Sequence, residues 1–128
     1  MIWVEKPIVQ NYYELKKLIN LLEKNNNRST ILVGYQRRYL KVYENLKNII
    51  YTKKYGECKN INIFYSRGLM TNGIHLIDLI FYLFGDNIKF NIFRNKCENL
   101  KNPSFFLELE NGVLCSVNGI NTDYHSID

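Results

Sequence analysis

The residues in this sequence best suited to acid/base chemistry are His75 and Asp78, in the segment GLMTNGIHLIDLIFYLFG (68–85). Residues three positions apart on a helix share a face, so the two side chains can approach each other. A neutral imidazole accepts protons near pH 7, and a carboxylate beside it can orient the ring or raise its basicity. The same spacing also allows a simpler interpretation, in which the two side chains only satisfy each other or nearby backbone groups.

The residues after His75 are mostly apolar and predict a helix from about Gly73 to Phe84. His75 then lies near the helix N-terminus, where the partial positive charge of the helix dipole disfavours the imidazolium ion. We therefore expect His75 to be neutral and able to accept a proton.

Lys6 is a second candidate, because it closely follows a short apolar strand, IWV (2–4), at the carboxyl end of that strand. Ligands of open α/β sheets gather at that end of the strands. A lysine there can carry positive charge to a substrate or cofactor. Its position equally allows a surface lysine before Pro7, and both interpretations stay open.

The first half of the chain has the pattern strand, helix, strand. Asn11 is a suitable helix N-cap, with Glu14 three positions later, and leucines and an isoleucine then recur at helical spacing. The second strand, TILVGY (30–35), is almost wholly apolar. This order predicts parallel pairing, and parallel sheets normally have more strands and two covered faces. This half is therefore typical of one part of a larger sheet.

The second half alternates apolar and polar residues, which is typical of strands buried on one face. The apolar positions that share a face are Ile61, Ile63 and Tyr65; Ile88, Phe90 and Ile92; Phe105, Leu107 and Leu109; and Val113, Cys115 and Val117. Asn111 and Gly112, between the last two strands, tolerate positive φ and favour a tight type I′ hairpin. We expect a mainly antiparallel sheet with the helix of His75 packed on one face.

Composition argues against several classes of function. The 128 residues are 46% hydrophobic and 23% charged, and the net charge of +5 is scattered, so we expect a packed core and no nucleic-acid partner. The three cysteines form no CxxC pair, which indicates neither a disulfide framework nor a zinc site, and no metal is expected. We recognise neither a signal peptide nor an apolar run long enough for a membrane, and therefore expect a cytoplasmic protein.

Four segments, in this order, resemble the Gfo/Idh/MocA family of NAD(P)-dependent sugar and polyol oxidoreductases. They are VEKPI (4–8), VGYQRRY (33–39), YGE (55–57) and GIHLIDLIFYLFG (73–85). The family joins a Rossmann domain to an α/β domain with an open, mostly antiparallel sheet. The resemblance implies that residues 1–50 are the C-terminal part of a dinucleotide-binding Rossmann domain. Residues 51–128 would then be part of a substrate-binding and oligomerisation domain.

The fold class that we predict is therefore α/β (α+β): a remnant of a Rossmann βαβ unit, followed by an open, mainly antiparallel sheet with a packed helix. The resemblance also implies a reaction, hydride transfer between a nicotinamide and a sugar or sugar derivative. In that reaction Lys6 and His75 are catalytic, with His75 as the acid/base and Lys6 beside substrate and nicotinamide. The residues implied in cofactor binding are Glu5, Lys6, Pro7, Gln36 and Arg37, and those implied in substrate binding are Arg67, Thr71, Asn72 and Asp78. Tyr35 and Arg38 are further candidates for lining the cleft.

The sequence departs from the family pattern at two points. Many relatives have an acidic residue four positions before the histidine, where this chain has Thr71. No GxGxxG occurs anywhere in the 128 residues, so the glycines that let a backbone approach a pyrophosphate are absent. The cofactor of a full-length relative is NAD or NADP, but we expect this chain alone to bind NAD(H) weakly or not at all and to be inactive.

A non-catalytic role is the alternative function. The family's sheet commonly mediates oligomerisation, and apolar sheet faces would otherwise meet water. The chain would then be an oligomerisation or interaction module, a homo-oligomer through its sheet.

Overall fold

A computed structural model describes residues 1–24, 30–85, 93–94, 101–109 and 112–121 of the chain. The strands are β1 (Ile2–Val4), β2 (Ile31–Val33), β3 (Asn60–Tyr65), β4 (Phe93–Arg94), β5 (Phe105–Glu108) and β6 (Leu114–Gly119). The α-helices are α1 (Tyr12–Lys24), α2 (Lys41–Tyr51) and α3 (Ile74–Phe84). A 3₁₀ helix, Gln36–Tyr39, precedes α2, and a π-helical turn, Leu69–Gly73, precedes α3.

The chain divides into two compact units, Met1–Gln36 and Arg37–Asp128, here called the first and second unit. This structural boundary lies before α2, whereas the sequence places the domain boundary near residue 50. The assignment of residues 1–50 to a nucleotide-binding domain stays a prediction. In the described part of the chain, no helix is both long enough and apolar enough to cross a membrane.

The first unit is the predicted strand–helix–strand motif. β1 and β2 pair in parallel, with Ile2 opposite Ile31. Asn11 caps α1 as expected, because its Oδ1 accepts the backbone N–H of Glu14 at 3.0 Å. The Glu14 carboxylate reaches back to the N–H of Gln10, 2.9 Å away, which completes a variant of the capping box.

The second unit is built on a four-stranded sheet with the order β3-β6-β5-β4. The β6–β5 and β5–β4 pairs are antiparallel and the β3–β6 pair is parallel, so the prediction of a mainly antiparallel sheet is confirmed. The predicted inward positions of β3, β5 and β6 form one core with α3. The buried members are Tyr65, Ile80, Leu107, Leu109, Val113, Cys115 and Val117.

Two details of the sheet differ from the sequence predictions or lie beyond the described residues. The N–H of Leu109 donates to the carbonyl of Val113, and the N–H of Gly112 donates to the carbonyl of Leu109, at 3.0 and 2.9 Å. This pairing closes the hairpin with one residue more than a type I′ turn has, so the predicted turn type is wrong, although Gly112 has the expected positive φ of 76°. Asn111 and the predicted strand positions 88–92 lie outside the described residues.

Candidate active site

His75 lies in the first turn of α3, but the helical chain begins earlier than the sequence pattern indicates. The π-helical turn Leu69–Gly73 runs directly into α3. The N–H groups of Asn72 and Gly73 both donate to the carbonyl of Gly68, at 2.9 and 3.2 Å. The helix α3 therefore continues directly from the π-helical turn, and the expectation that the helix dipole keeps His75 neutral stays a prediction.

The His75 side chain is half-buried, and its Nδ1 atom is buried. The helix places His75 four positions after Thr71 and three after Asn72. Thr71 is exposed and Asn72 is half-buried. The structure therefore brings these two predicted substrate-binding residues onto the same helical segment as His75.

Asp78 is held by a partner that the spacing argument did not identify. Its side chain is 8% exposed, and Arg38 bonds both carboxylate oxygens, Nε to Oδ2 at 2.8 Å and Nη2 to Oδ1 at 2.5 Å. This two-point geometry is the strong form of an arginine–carboxylate pair. The Asp78 carboxylate thus forms an ion pair that connects the 3₁₀ helix to α3, and its role in orienting His75 stays a prediction.

The chain enters the π-helical turn through an unusual backbone conformation. Arg67, predicted to bind substrate, is exposed and has a φ of 66°, and the buried Gly68 follows with a φ of 102°. Left-handed conformations of residues other than glycine store strain and occur often near functional sites, as do π-helical turns. A side chain at Gly73 would meet the Leu69 and Tyr65 side chains at 2.9 and 3.0 Å, so this turn also packs tightly on β3.

The predicted cofactor-binding residues of the first unit lie around the end of β1. Lys6 is half-buried, Glu5 and Pro7 are exposed, and the Lys6–Pro7 peptide bond is cis. The Glu5 carboxylate lies against the backbone of Gly34, because a Cβ on that glycine would be 3.4 Å from Oε2. The two remaining candidates, Gln36 and Arg37, begin the 3₁₀ helix.

Two cavities of the second unit lie along α2 and α3 rather than beside His75. One, of about 430 Å³, is lined by Arg38, Tyr39, Glu44 and Tyr82. The ammonium of Lys47 lies 4.2 Å from the centre of the Tyr82 ring, a cation–π distance. Neither this cavity nor the other, of about 520 Å³, includes a residue that the sequence predicts to bind substrate.

The residues present do not fit the pyrophosphate of a dinucleotide. In the described ranges, the glycines with positive φ are Gly56, Gly68, Gly85 and Gly112. None of them lies in the segment directly after β1 or β2. A pyrophosphate needs a glycine-rich turn between a parallel strand and a helix N-terminus. Within the described ranges, no group of three or more His, Cys, Asp or Glu side chains is placed to hold a metal ion.

Two residues that bond the helix of His75 or its entry from distant segments were not predicted from the sequence. Arg38 was expected only to line a cleft, and it binds Asp78 across 40 positions of the chain. Asn102 was not considered, and its Oδ1 accepts the N–H of Gly68 across 34 positions. No local spacing rule connects residues so far apart. The only sequence signal near either contact is Gly68, whose type permits positive φ.

Solved structures of oxidoreductases have the same fold. The chain matches a candidate NADPH-dependent oxidoreductase from Desulfitobacterium hafniense with 22% identity and a TM-score of 0.75, over 92% of this chain and 41% of that one. It matches apo scyllo-inositol dehydrogenase from Lactobacillus casei with 16% identity and a TM-score of 0.71, over 96% and 44%. The match to the WlbA dehydrogenase from Chromobacterium violaceum, in complex with NADH and UDP-GlcNAcA, has 18% identity and a TM-score of 0.72, over 95% and 42%.

No protein-family model and no curated protein matches the sequence. The chain spans about two fifths of the length of the solved structures that it matches. The predicted fold class is confirmed by these matches and by the order of helices and strands. At such low identity the likeness concerns the fold alone: the chain shares its α/β architecture with part of each of these structures.

Proposed function

We propose that this chain carries the acid/base residue of an oxidoreductase of the Gfo/Idh/MocA type that acts on a sugar or sugar derivative. Residues 1–50 are, in this proposal, the rear of the nucleotide-binding domain, and residues 51–128 are part of the substrate domain. The observation that carries the proposal is the placement of His75. It is half-buried on a helix whose entry is strained and tightly packed, within the fold that oxidoreductases share.

The chemistry assigned to His75 is proton movement at the sugar oxygen. When a secondary alcohol is oxidised, the carbon loses a hydride to the nicotinamide and the hydroxyl loses a proton, leaving a carbonyl. Neutral imidazole accepts that proton near pH 7, and the protonated ring returns it in the reverse direction. The hydride acceptor, NAD or NADP, supplies the redox chemistry; this chain supplies the base.

The remaining predicted residues keep the roles that the resemblance gives them. Lys6 stabilises developing negative charge on the substrate oxygen. Substrate contacts are assigned to Arg67, Thr71 and Asn72, while the Asp78 carboxylate is already bonded by Arg38. Because the sequence has no GxGxxG and the described residues form no pyrophosphate cradle, the chain by itself should bind NAD(H) weakly or not at all. Millimolar NADH that produced saturable energy transfer from Trp3, the single tryptophan, would contradict this expectation.

The proposal can be tested by NMR titration of the full chain with a panel of sugars, polyols, sugar acids and nucleotide sugars. The imidazole signals report directly on the site, since the chain has two histidines and a His125→Gln variant assigns them. We expect at least one panel member to shift the His75 signal saturably. In His75→Asn the affinity for that ligand should change at least severalfold. A panel that leaves the His75 signal unmoved would argue against a sugar site.

A non-catalytic role has its own support in the outer face of the second unit's sheet. Phe64, Phe106 and Leu114 are 65%, 46% and 53% exposed, and they lie on the face opposite the buried Cys115. Polar residues lie between them on this face, such as Asn118 opposite Phe64 and Ser116 opposite Phe106, but large exposed apolar side chains on one sheet face are typical of an interaction surface. In this second proposal the chain is a homo-oligomerisation module through its sheet.

Sedimentation separates this proposal from the first. Phe64→Glu should shift an oligomer of the full chain towards monomer, because a carboxylate at a closed apolar interface loses its hydration. Asn62→Glu, on the same face of the same strand, is the matched control for added charge. A wild-type chain that sediments as a monomer at high micromolar concentration would contradict the oligomer.

A further inference from the structure

The start of the helix that carries His75 is bonded to a segment far along the chain. The buried N–H of Gly68 donates to Oδ1 of Asn102 at 2.6 Å. The next amide, the N–H of Leu69, donates to the carbonyl of Lys101 at 2.9 Å. Two successive amides at the beginning of the π-helical turn are therefore capped by residues outside the helix, as an N-cap side chain would do locally.

Gly68, whose N–H is held by Asn102, is also bonded to the helix through its carbonyl. Its carbonyl accepts the N–H groups of Asn72 and Gly73, the two residues that lead into α3. The peptides on either side of Gly68 are thus fixed, one by Asn102 and the other by the helix itself. Because Arg67 and Gly68 both have positive φ, the backbone at this point needs such fixing to keep its conformation.

The capping segment is itself anchored on the sheet by contacts that do not involve Gly68. Ser104 Oγ accepts the N–H of Gly119 at 3.0 Å, and the hydroxyl of Tyr65 donates to the carbonyl of Pro103 at 2.5 Å. The backbone of Asn102 packs so closely on Gly119 that a Cβ on that glycine would overlap its carbonyl oxygen. Asn102 is 8% exposed. The segment therefore connects the rigid sheet to the helix entry.

We propose that Asn102 is a positioning residue, which sets the start of the His75 helix and through it the orientation of the imidazole. The importance of this role for catalysis rests on the proposed function. The structural coupling between Asn102 and His75 is inferred only from the hydrogen bonds described above. The bond to Gly68 is made by one acceptor atom, so its effect on the helix should follow the presence of that acceptor.

Three variants of the full chain test the coupling. Asn102→Leu removes the acceptor and keeps a side chain that branches at Cγ, and Asn102→Asp keeps an acceptor in the same place. Ser104→Ala is the matched control, because it removes an equivalent bond from the same segment, to Gly119 instead of Gly68. The measurements are hydrogen exchange of the Gly68 amide and the ¹H–¹³C signal of the His75 imidazole, with the signals of the sheet core as the check on folding.

We expect exchange at Gly68 to be about tenfold faster or more in Asn102→Leu, with a displaced His75 signal. Asn102→Asp should keep both readouts near the wild-type values. Ser104→Ala should accelerate exchange at Gly119 and leave the His75 signal in place. These readouts need neither cofactor nor sugar, so they separate a failure of this coupling from a failure of the sugar titration.

The proposal is overturned if folded Asn102→Leu leaves the His75 signal where it is, or if Ser104→Ala displaces it equally. Should Asn102→Leu not fold, Asn102→Ala takes its place as the variant without the acceptor. A folded Asn102→Ala with an unmoved His75 signal then refutes the proposal.

Discussion

The two units of the chain differ in how completely they bury their apolar side chains. In the described ranges, every residue of the buried apolar core belongs to the second unit, where Cys115 and Val117 are completely inaccessible. In the first unit, Ile2 and Trp3 are 50% and 56% exposed, and no residue of α1 is buried. The two units therefore have different sources of stability.

The size of each sheet explains the difference. Four strands with a helix on one face can enclose side chains on all sides, and each Å² of apolar surface removed from water stabilises by about 25 cal/mol. Two short parallel strands with one helix enclose almost nothing, and isolated two-stranded sheets are marginal in water. The second unit is thus stabilised by burial, whereas the first relies more on local bonds such as the cap of α1.

A charge placed in the core of the second unit should have the largest effect on stability, and the same change in the first unit should have little. Val117→Asp buries a carboxylate in the closed core, so we expect it to lower the free energy of unfolding by at least about 4 kcal/mol. Ile19→Asp, on the 44% exposed Ile19 of α1, should lower it by less than about 1 kcal/mol. Urea titration followed by circular dichroism measures both changes, and similar values would refute the contrast between the units.

The ion pair of Arg38 and Asp78 adds a second, smaller contribution to the second unit. Arg38→Met leaves a buried carboxylate without its cation and should lower stability by about 2–3 kcal/mol. Asp78→Asn should affect stability less, since the Arg38 side chain is 37% exposed and regains water. Lys41→Met breaks the exposed pair with Glu44 and should change stability by less than about 0.5 kcal/mol. A double-mutant cycle with no coupling between Arg38 and Asp78 would contradict this account.

The parts of the structure that could be predicted are those with a local cause. A period of two identified the buried faces of the strands, including Cys115 and Val117, because alternate residues of a strand face opposite sides. Asn11 was recognised as a cap because its bond spans only three residues. The same reasoning placed His75 on a helix.

The parts that could not be predicted depend on contacts between distant segments. Helix spacing indicated only that Asp78 can approach His75, whereas its bond with Arg38 joins residues that a single sequence does not connect. At the beginning of the helical segment, the N–H groups of Gly68 and Leu69 donate to Asn102 and Lys101, which lie more than 30 positions away. The extra residue in the hairpin after Leu109 reflects pairing between two strands, which composition alone does not set.

Alkaline pH offers a way to weaken the second unit selectively. Burial, with a smaller effect from the charge of Cys58, raises the pKa of the Cys115 thiol from 9.0 to about 11. Below pH 9 the thiol is protonated in both states and has no effect on stability. Between pH 9 and 11 the unfolded chain loses this proton while the folded chain keeps it, so stability falls as pH rises.

Between pH 9 and 11, the thiol should lower the free energy of unfolding by about 1.4 kcal/mol per pH unit. Tyrosines and lysines also titrate there, so the quantity to compare is the difference between the wild type and Cys115→Val, which retains a buried apolar side chain. Hydrogen exchange should locate the loss in peptides of the second unit. A wild type and a Cys115→Val variant with parallel pH profiles would mean that the thiol ionises normally in the fold.

The smallest expected effect on stability concerns the N-cap of α1 in the first unit. Asn11→Ala removes the acceptor for the Glu14 amide and should cost about 1 kcal/mol. Because α1 has no buried residue, little packing can compensate, and amides across Tyr12–Lys24 should exchange several times faster. Asn11→Asp keeps the acceptor and should preserve slow exchange. Asn20→Ala, at an exposed position inside α1, is the control for the higher helix propensity of alanine. Amide exchange in the second unit should not change. An equal acceleration there would show that the two units unfold together, and that the difference in burial does not give them separate stabilities.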